Sequence, residues 1–132
     1  MFEAIDHVGI AVEEIDAALE TYTGTFGMAL LHRQRVPEHG VELAMLAAGE
    51  GHVELVAPLA SDTPVGRFIG ARGPGLHHVA YRVADIEETM ATLRERSVEM
   101  IDETPRAGAL DSRIAFLHPR GAGGVLTEIV QR

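Results

Sequence analysis

The sequence has no cysteine, no tryptophan and no lysine, so its 11 cationic side chains are all arginine. Without thiols there is no disulfide framework and no thiolate ligand, and any metal held by this chain must take nitrogen and oxygen donors. Without lysine there is no Schiff-base chemistry, whereas guanidinium groups remain for carboxylate or phosphate. Positive charge is itself scarce: 20 acidic side chains leave a formal charge of −9, which removes the cationic footprint that nucleic acid requires. There is no long uninterrupted apolar run and no basic, apolar, small-residue pattern at the N-terminus. Membrane insertion and secretion are therefore not expected, and a cytoplasmic location is. Aromatic residues make up 5% of the chain and hydrophobic residues 46%, enough for an aliphatic core in a single domain spanning residues 1–132.

What the sequence does contain is an internal repeat. Ile5-Asp6-His7-Val8-Gly9-Ile10-Ala11-Val12 returns 71 positions later as Leu76-His77-His78-Val79-Ala80-Tyr81-Arg82-Val83, with histidine at the same place in both copies. As strands, these put Val8, Ile10 and Val12 on one face and His7, Gly9 and Ala11 on the other, and likewise Val79, Tyr81 and Val83 opposite His78 and Ala80. The apolar face is expected to be buried, and the small residue beside each histidine leaves space above it. After each strand the period lengthens: Ile15, Leu19 and Tyr22, then Ile86, Met90 and Leu93, stand at helical spacing. Asp85 with Glu88 three residues on resembles a capping box, and Gly24 and Gly27 are stops for the first helix.

Strand-like runs follow at 28–36, 41–48 and 52–58 in the first copy and at 98–103, 112–117 and 124–131 in the second, so each half reads βαβββ. The halves cover about 1–58 and 76–132. Between them a connector, 59–75, carries a short helix announced by Thr63-Pro64 and broken at Gly73-Pro74-Gly75. The last strands of the halves also match, Val53-Glu54-Leu55-Val56 with Thr127-Glu128-Ile129-Val130, and there the repeated polar residue is glutamate. His7, Glu54, His78 and Glu128 thus form a duplicated N2O2 donor set. Its borderline hardness suits divalent cobalt, nickel, manganese, zinc or iron, and four protein donors on a six-coordinate ion leave two positions for water or substrate. His32, His39, His52 and His118 have no repeat partner and are read as surface or loop residues, and His77, which matches Asp6, as a supporting residue.

Paired βαβββ halves with these donors resemble the vicinal oxygen chelate superfamily, in which two modules form a cupped eight-stranded α+β sheet around one divalent metal. Within it, Gly75-Leu76-His77-His78-Val79-Ala80-Tyr81, Val56-Ala57-Pro58-Leu59, Ser112-Arg113-Ile114-Ala115-Phe116-Leu117-His118-Pro119 and Gly123-Gly124-Val125-Leu126-Thr127-Glu128 resemble the methylmalonyl-CoA epimerase family. That resemblance places the metal ligands on His7, Glu54, His78 and Glu128 and implies one ion per chain, cobalt foremost, with nickel, manganese and zinc as alternatives. Glu54 stands where bacterial relatives often carry glutamine. The implied reaction is inversion of the malonyl α-carbon of an acyl-CoA through a metal-stabilised enolate, with two acid–base groups flanking the carbon. Glu128 is the first of these. The second is expected in the third strand, where the family pattern Gly-Val-x-Glu-Ala-Met-Leu meets Gly40-Val41-Glu42-Leu43-Ala44-Met45-Leu46 here. The carboxylate, Glu42, is one position early, which in a strand means the other face unless a bulge intervenes. Arg113 is the expected partner for a substrate carboxylate or phosphate, and a homodimer is expected by analogy. A glyoxalase I-like lyase or isomerase acting on a glutathione hemithioacetal, and a metal-free small-molecule-binding protein of the same fold, are the alternative readings.

Overall fold

The computed structural model describes residues 1–132. Eight strands, β1 (Ala4–Ala11), β2 (Leu30–Val36), β3 (Val41–Ala48), β4 (Gly51–Pro58), β5 (Gly75–Arg82), β6 (Arg106–Ala107), β7 (Arg113–Leu117) and β8 (Thr127–Gln131), are joined in the order β2-β3-β4-β1-β5-β8-β7-β6. Three helices accompany them, α1 (Ile15–Leu19), α2 (Pro64–Arg72) and α3 (Ile86–Glu95). Read outward from its first strand, each half has the same order: first, fourth, third, second. The duplication seen in the sequence is therefore a duplication of topology. The chain divides into two compact units, Val8–His77 and Met1–His7 with His78–Arg132.

In the unit Val8–His77, β3 and β4 pair antiparallel without interruption from Val41↔Pro58 to Ala48↔Gly51. Ile15 of α1 is buried against Ala44, Leu46, Leu55 and Ala57, with Ile10, Val12, Leu19 and Tyr22 packed around this cluster. The helix does not stop at Gly24. It widens over Glu20–Thr25, where the Phe26 N–H reaches back to the Thr21 carbonyl at 2.9 Å, and ends at Gly27, whose φ of +71° lies in the left-handed region. α2 starts as its sequence indicates: the Thr63 hydroxyl accepts the Gly66 N–H at 3.1 Å and Pro64 occupies the first turn.

In the other unit β5 runs parallel to β8, and β8 antiparallel to β7. One face of these strands meets α3: Val83, Ile86, Met90, Leu93, Ala115, Leu117 and Ile129 form a closed aliphatic cluster. The Asp85 carboxylate caps α3 by accepting the Glu88 N–H at 3.0 Å. On the opposite face lie Ala80, Ile114 and Val130, with Phe116 against them. The faces expected to be open are in fact the more fully buried: His7, Ala11, His78 and Ala80 are closed to solvent, whereas Val8, Ile10 and Val79 are only half-buried. Both sides of these strands are covered, as for central strands of a sheet.

The expected strand over 98–103 is not formed. Met100 makes a single bridge to Leu117, the Asp102 side chain takes the Phe116 N–H at 2.8 Å, and pairing resumes only in the two-residue β6. A side-chain acceptor has replaced the backbone one, and Pro105 cannot donate to a ladder.

Two glycines of α2 separate local propensity from packing. A Cβ at Gly66 would collide with the carbonyl oxygens of Ala60 and Ser61, the latter at 2.7 Å, whereas one at Gly70 would meet nothing within 4 Å. Gly70→Ala is expected to stabilise by about 0.5–1 kcal/mol, and Gly66→Ala to destabilise by roughly 1–3 kcal/mol through overpacking. Denaturant unfolding of the two variants should shift the midpoint in opposite directions.

Candidate metal centre

β1 and β5 deliver their histidines, and β8 its glutamate, to one point. His7 Nε2 lies 3.1 Å from His78 Nε2, the rings meeting edge to face at 88°. Glu128 approaches both, Oε1 at 3.4 Å from His7 Nε2 and Oε2 at 3.8 Å from His78 Nε2. The strand register explains the placement: Glu128 is paired across the ladder with Ala80 on one side and Phe116 on the other, and alternation puts His78 on the face of Ala80. Phe116 closes this face, its ring edge-on to His78 with centroids 5.5 Å apart.

The three groups are 3–4% exposed. Imidazole and carboxylate removed from water carry a desolvation cost unless a counter-charge or shared ligand offsets it. Donors held about 2.1 Å from one cation, at right angles to each other, stand about 3 Å apart, close to the separations found here. The donor set fits a divalent ion of borderline hardness.

Behind His7 sits Asp6, fully buried. Its carboxylate accepts the His7 Nδ1–H at 2.7 Å, two hydrogen bonds from Arg132 (Nη2 at 2.7 Å and Nε at 2.9 Å) and one from Arg82 Nε at 3.3 Å. Burial alone would raise the Asp6 carboxyl. The hydrogen bonds from His7 and Arg132, with their charges, outweigh it and hold the group well below the ordinary carboxylate range. An ionised Asp6 can only accept, so His7 carries a proton on Nδ1, and in the neutral ring the lone pair is on Nε2, the nitrogen that faces His78 and Glu128.

The remaining sequence-derived residues divide by face. Glu54, on β4, is buried and pairs across the ladder with Met45. It is the repeat-mate of Glu128 and, like it, a buried carboxylate. Glu42 is on the other face of its hairpin. The β3–β4 register contains no bulge, Glu42 alternates with Ala44 and Leu46 on the α1 side, and its carboxylate accepts the Arg33 Nε–H at 3.1 Å beside Asp16 of α1. With no bulge to compensate, Glu42 keeps the face that its one-position offset implies. Arg113 alternates with Ala115 and Leu117 on the α3 side and pairs with Glu87 of α3 at 2.5 Å. Arg106, which no sequence pattern singles out, lies on the donor face with its Nε 3.4 Å from Asp102 Oδ1. Arg106 is paired with Ile114 across the ladder and lies over the Phe116 ring at 5.5 Å. His77 stacks edge-on against Phe68 of α2, and His118 caps the turn at Arg120. His32 bonds to Gln34 on the surface.

The sequence pattern of the glyoxalase/bleomycin resistance protein/dioxygenase superfamily matches residues 6–116. The uncharacterized protein YqjC of Bacillus subtilis is 40% identical over 96% of this chain and 91% of its own. An ethylmalonyl-CoA/methylmalonyl-CoA epimerase of Cereibacter sphaeroides is 32% identical, with 99% of each chain covered. A variant of the Streptomyces coelicolor methylmalonyl-CoA epimerase, solved in complex with 2-nitronate-propionyl-CoA, is similar at a TM-score of 0.93 and 37% identity, over 99% of this chain and 98% of that one. With ladder order, donor placement and similarity in agreement over nearly the whole chain, the protein belongs to the glyoxalase/bleomycin resistance protein/dioxygenase superfamily and, within it, to the methylmalonyl-CoA epimerase family.

Proposed function

We propose that the protein epimerises the α-carbon of methylmalonyl-CoA, or of a closely related acyl-CoA, at a divalent-metal site held by His7, His78, Glu128 and Glu54. The observation that carries this reading is the convergence of His7 Nε2, His78 Nε2 and the Glu128 carboxylate within 3.1–3.8 Å on one buried face. The epimerase relatives, which cover the chain from end to end, supply the reaction class. Cobalt is the first metal to test, with nickel, manganese and zinc behind it, and a cytoplasmic homodimer is the form proposed for the working enzyme.

The α-proton of a thioester is too weakly acidic for a carboxylate to remove unaided. A divalent ion in this donor set supplies the Lewis-acid charge that makes the proton removable. Glu128 is the base: it stands at the convergence point, buried, beside both imidazoles and next to Phe116 in the ladder. Inversion requires a second acid–base group on the far side of the carbon. With Glu42 turned to the α1 side, we assign that role to Glu54, the repeat-mate of Glu128. Arg106, rather than Arg113, meets an acidic group of the substrate, since of the two it is the one that shares a face with Ile114 and Phe116.

With cobalt, one configuration of the substrate and deuterated water, the protein should place deuterium at the α-carbon while the other configuration accumulates. No exchange, together with turnover of methylglyoxal and glutathione, would replace this reading by the glyoxalase I-like one. Glu128→Gln should slow epimerisation by about 10²–10⁴-fold, the usual contribution of a positioned base. Glu54→Gln keeps a metal donor but removes a base, so exchange from one configuration should persist while inversion is lost; unimpaired inversion would remove Glu54 from the mechanism. Arg106→Met should raise KM about tenfold, consistent with loss of one charge-assisted hydrogen bond of about 1.5 kcal/mol. A larger rise for Arg113→Met would reverse that assignment.

A further inference from the structure

Arg132 lies outside the convergence point, and no part of the chemistry proposed above uses it. Its guanidinium grips both oxygens of Asp6, with Nη2 on Oδ2 at 2.7 Å and Nε on Oδ1 at 2.9 Å. The third nitrogen, Nη1, donates to the Ala109 carbonyl at 3.2 Å. That carbonyl belongs to an unusual turn. Leu110 and Asp111 are consecutive non-glycine residues at φ of +56° and +57°, and the Ser112 N–H and hydroxyl both return to the Ala109 oxygen, at 3.3 and 2.7 Å. Two consecutive non-glycine side chains in the left-handed region are strained, and such strain persists only where the surroundings over-determine it. Here the turn directs one carbonyl, already bonded to Ser112, at the guanidinium. Arg132 is thus anchored at one end by backbone and presents a planar fork to Asp6 at the other.

Asp6 in turn accepts from His7 Nδ1 at 2.7 Å, and Arg82 and Arg132 likewise meet it as donors. A carboxylate fixed in this way requires a proton on His7 Nδ1, so of the two neutral tautomers it selects the one with its lone pair on Nε2. We infer that the Ala109 turn, Arg132 and Asp6 form a positioning relay that holds His7 in its metal-binding tautomer and orientation, with Arg132 the positioning residue. The inference rests on the metal reading above and extends it from the donors to what orients them. Outer partners of metal-bound histidines commonly change metal affinity by about 10- to 100-fold when removed.

Two measurements on the full chain test it. In metal-free protein above pH 8, long-range ¹⁵N–¹H spectra of the imidazole rings should show His7 as a single tautomer protonated at Nδ1, and Arg132→Met should convert it to a mixture. In cobalt titrations of the same samples, Arg132→Met should weaken binding about 10- to 100-fold, with Arg132→Lys recovering part of the loss because it restores charge without the fork. Asp6→Asn, which is nearly isosteric, provides a second route should Arg132→Met fold poorly, and it should also lose the single tautomer. An unchanged His7 tautomer and unchanged cobalt affinity in either folded variant would overturn the inference. Wild-type protein that takes up no cobalt would instead sink the metal reading, and the ring signals would still decide whether Arg132 sets the state of His7.

Discussion

The arrangement depends on a buried carboxylate that cannot stand alone. Asp6 has no access to water, and an isolated ionised carboxylate in such a place would take up a proton rather than persist. It persists as an anion because His7, Arg132 and Arg82 all donate to it. Once it is an anion, His7 has one available tautomer, and the lone pair on Nε2 is aimed at His78 and Glu128. The electrostatics of one buried carboxylate thereby select the tautomer of a neighbour that can bind a metal. The same hydrogen bonds tie β1 to the residue that follows β8, so the fold and the site draw on one network.

The division of labour between strand faces follows from an alternation of two. In the unit built on β5, β7 and β8, one face is sealed by the aliphatic stripe of α3 and the other gathers His78, Glu128, Phe116 and the Arg106 stem. A residue's chemistry matters less than its parity. Arg113 and Arg106 are both arginines near one edge, yet Arg113 pairs with Glu87 on the α3 side, whereas Arg106 pairs with Asp102 and is the one of the two that shares the donor face. Glu42 and Glu54 repeat the lesson on paired strands: an unbroken register puts them on opposite faces.

Much of this is legible in the chain alone, because duplication supplies its own control. A single strand histidine carries little information, but His7 and His78 at equivalent places, with Glu54 and Glu128 at another, single out donors from seven histidines and 20 acidic residues. The helix caps at Thr63 and Asp85 are readable for a local reason, since each is a side chain bonding within three residues. The sixth strand is not, because its apolar run, Val98–Ile101, looks like any strand until Asp102 takes the partner's N–H. The first helix outlasts Gly24 because its register widens instead of breaking.

The repeat, the helix caps, seven of the eight strands and the four candidate donors can be read along the chain, since periodicity, capping and duplication are properties of sequence position. It took the folded molecule to settle which arginine shares a face with those donors, that Glu42 turns to the helix, and that Arg132 closes on Asp6 across 126 residues. Those outcomes depend on ladder register, on the turn at Leu110 and Asp111, and on which buried charge needs a partner. Such interactions act between residues distant in sequence, and no local pattern encodes them.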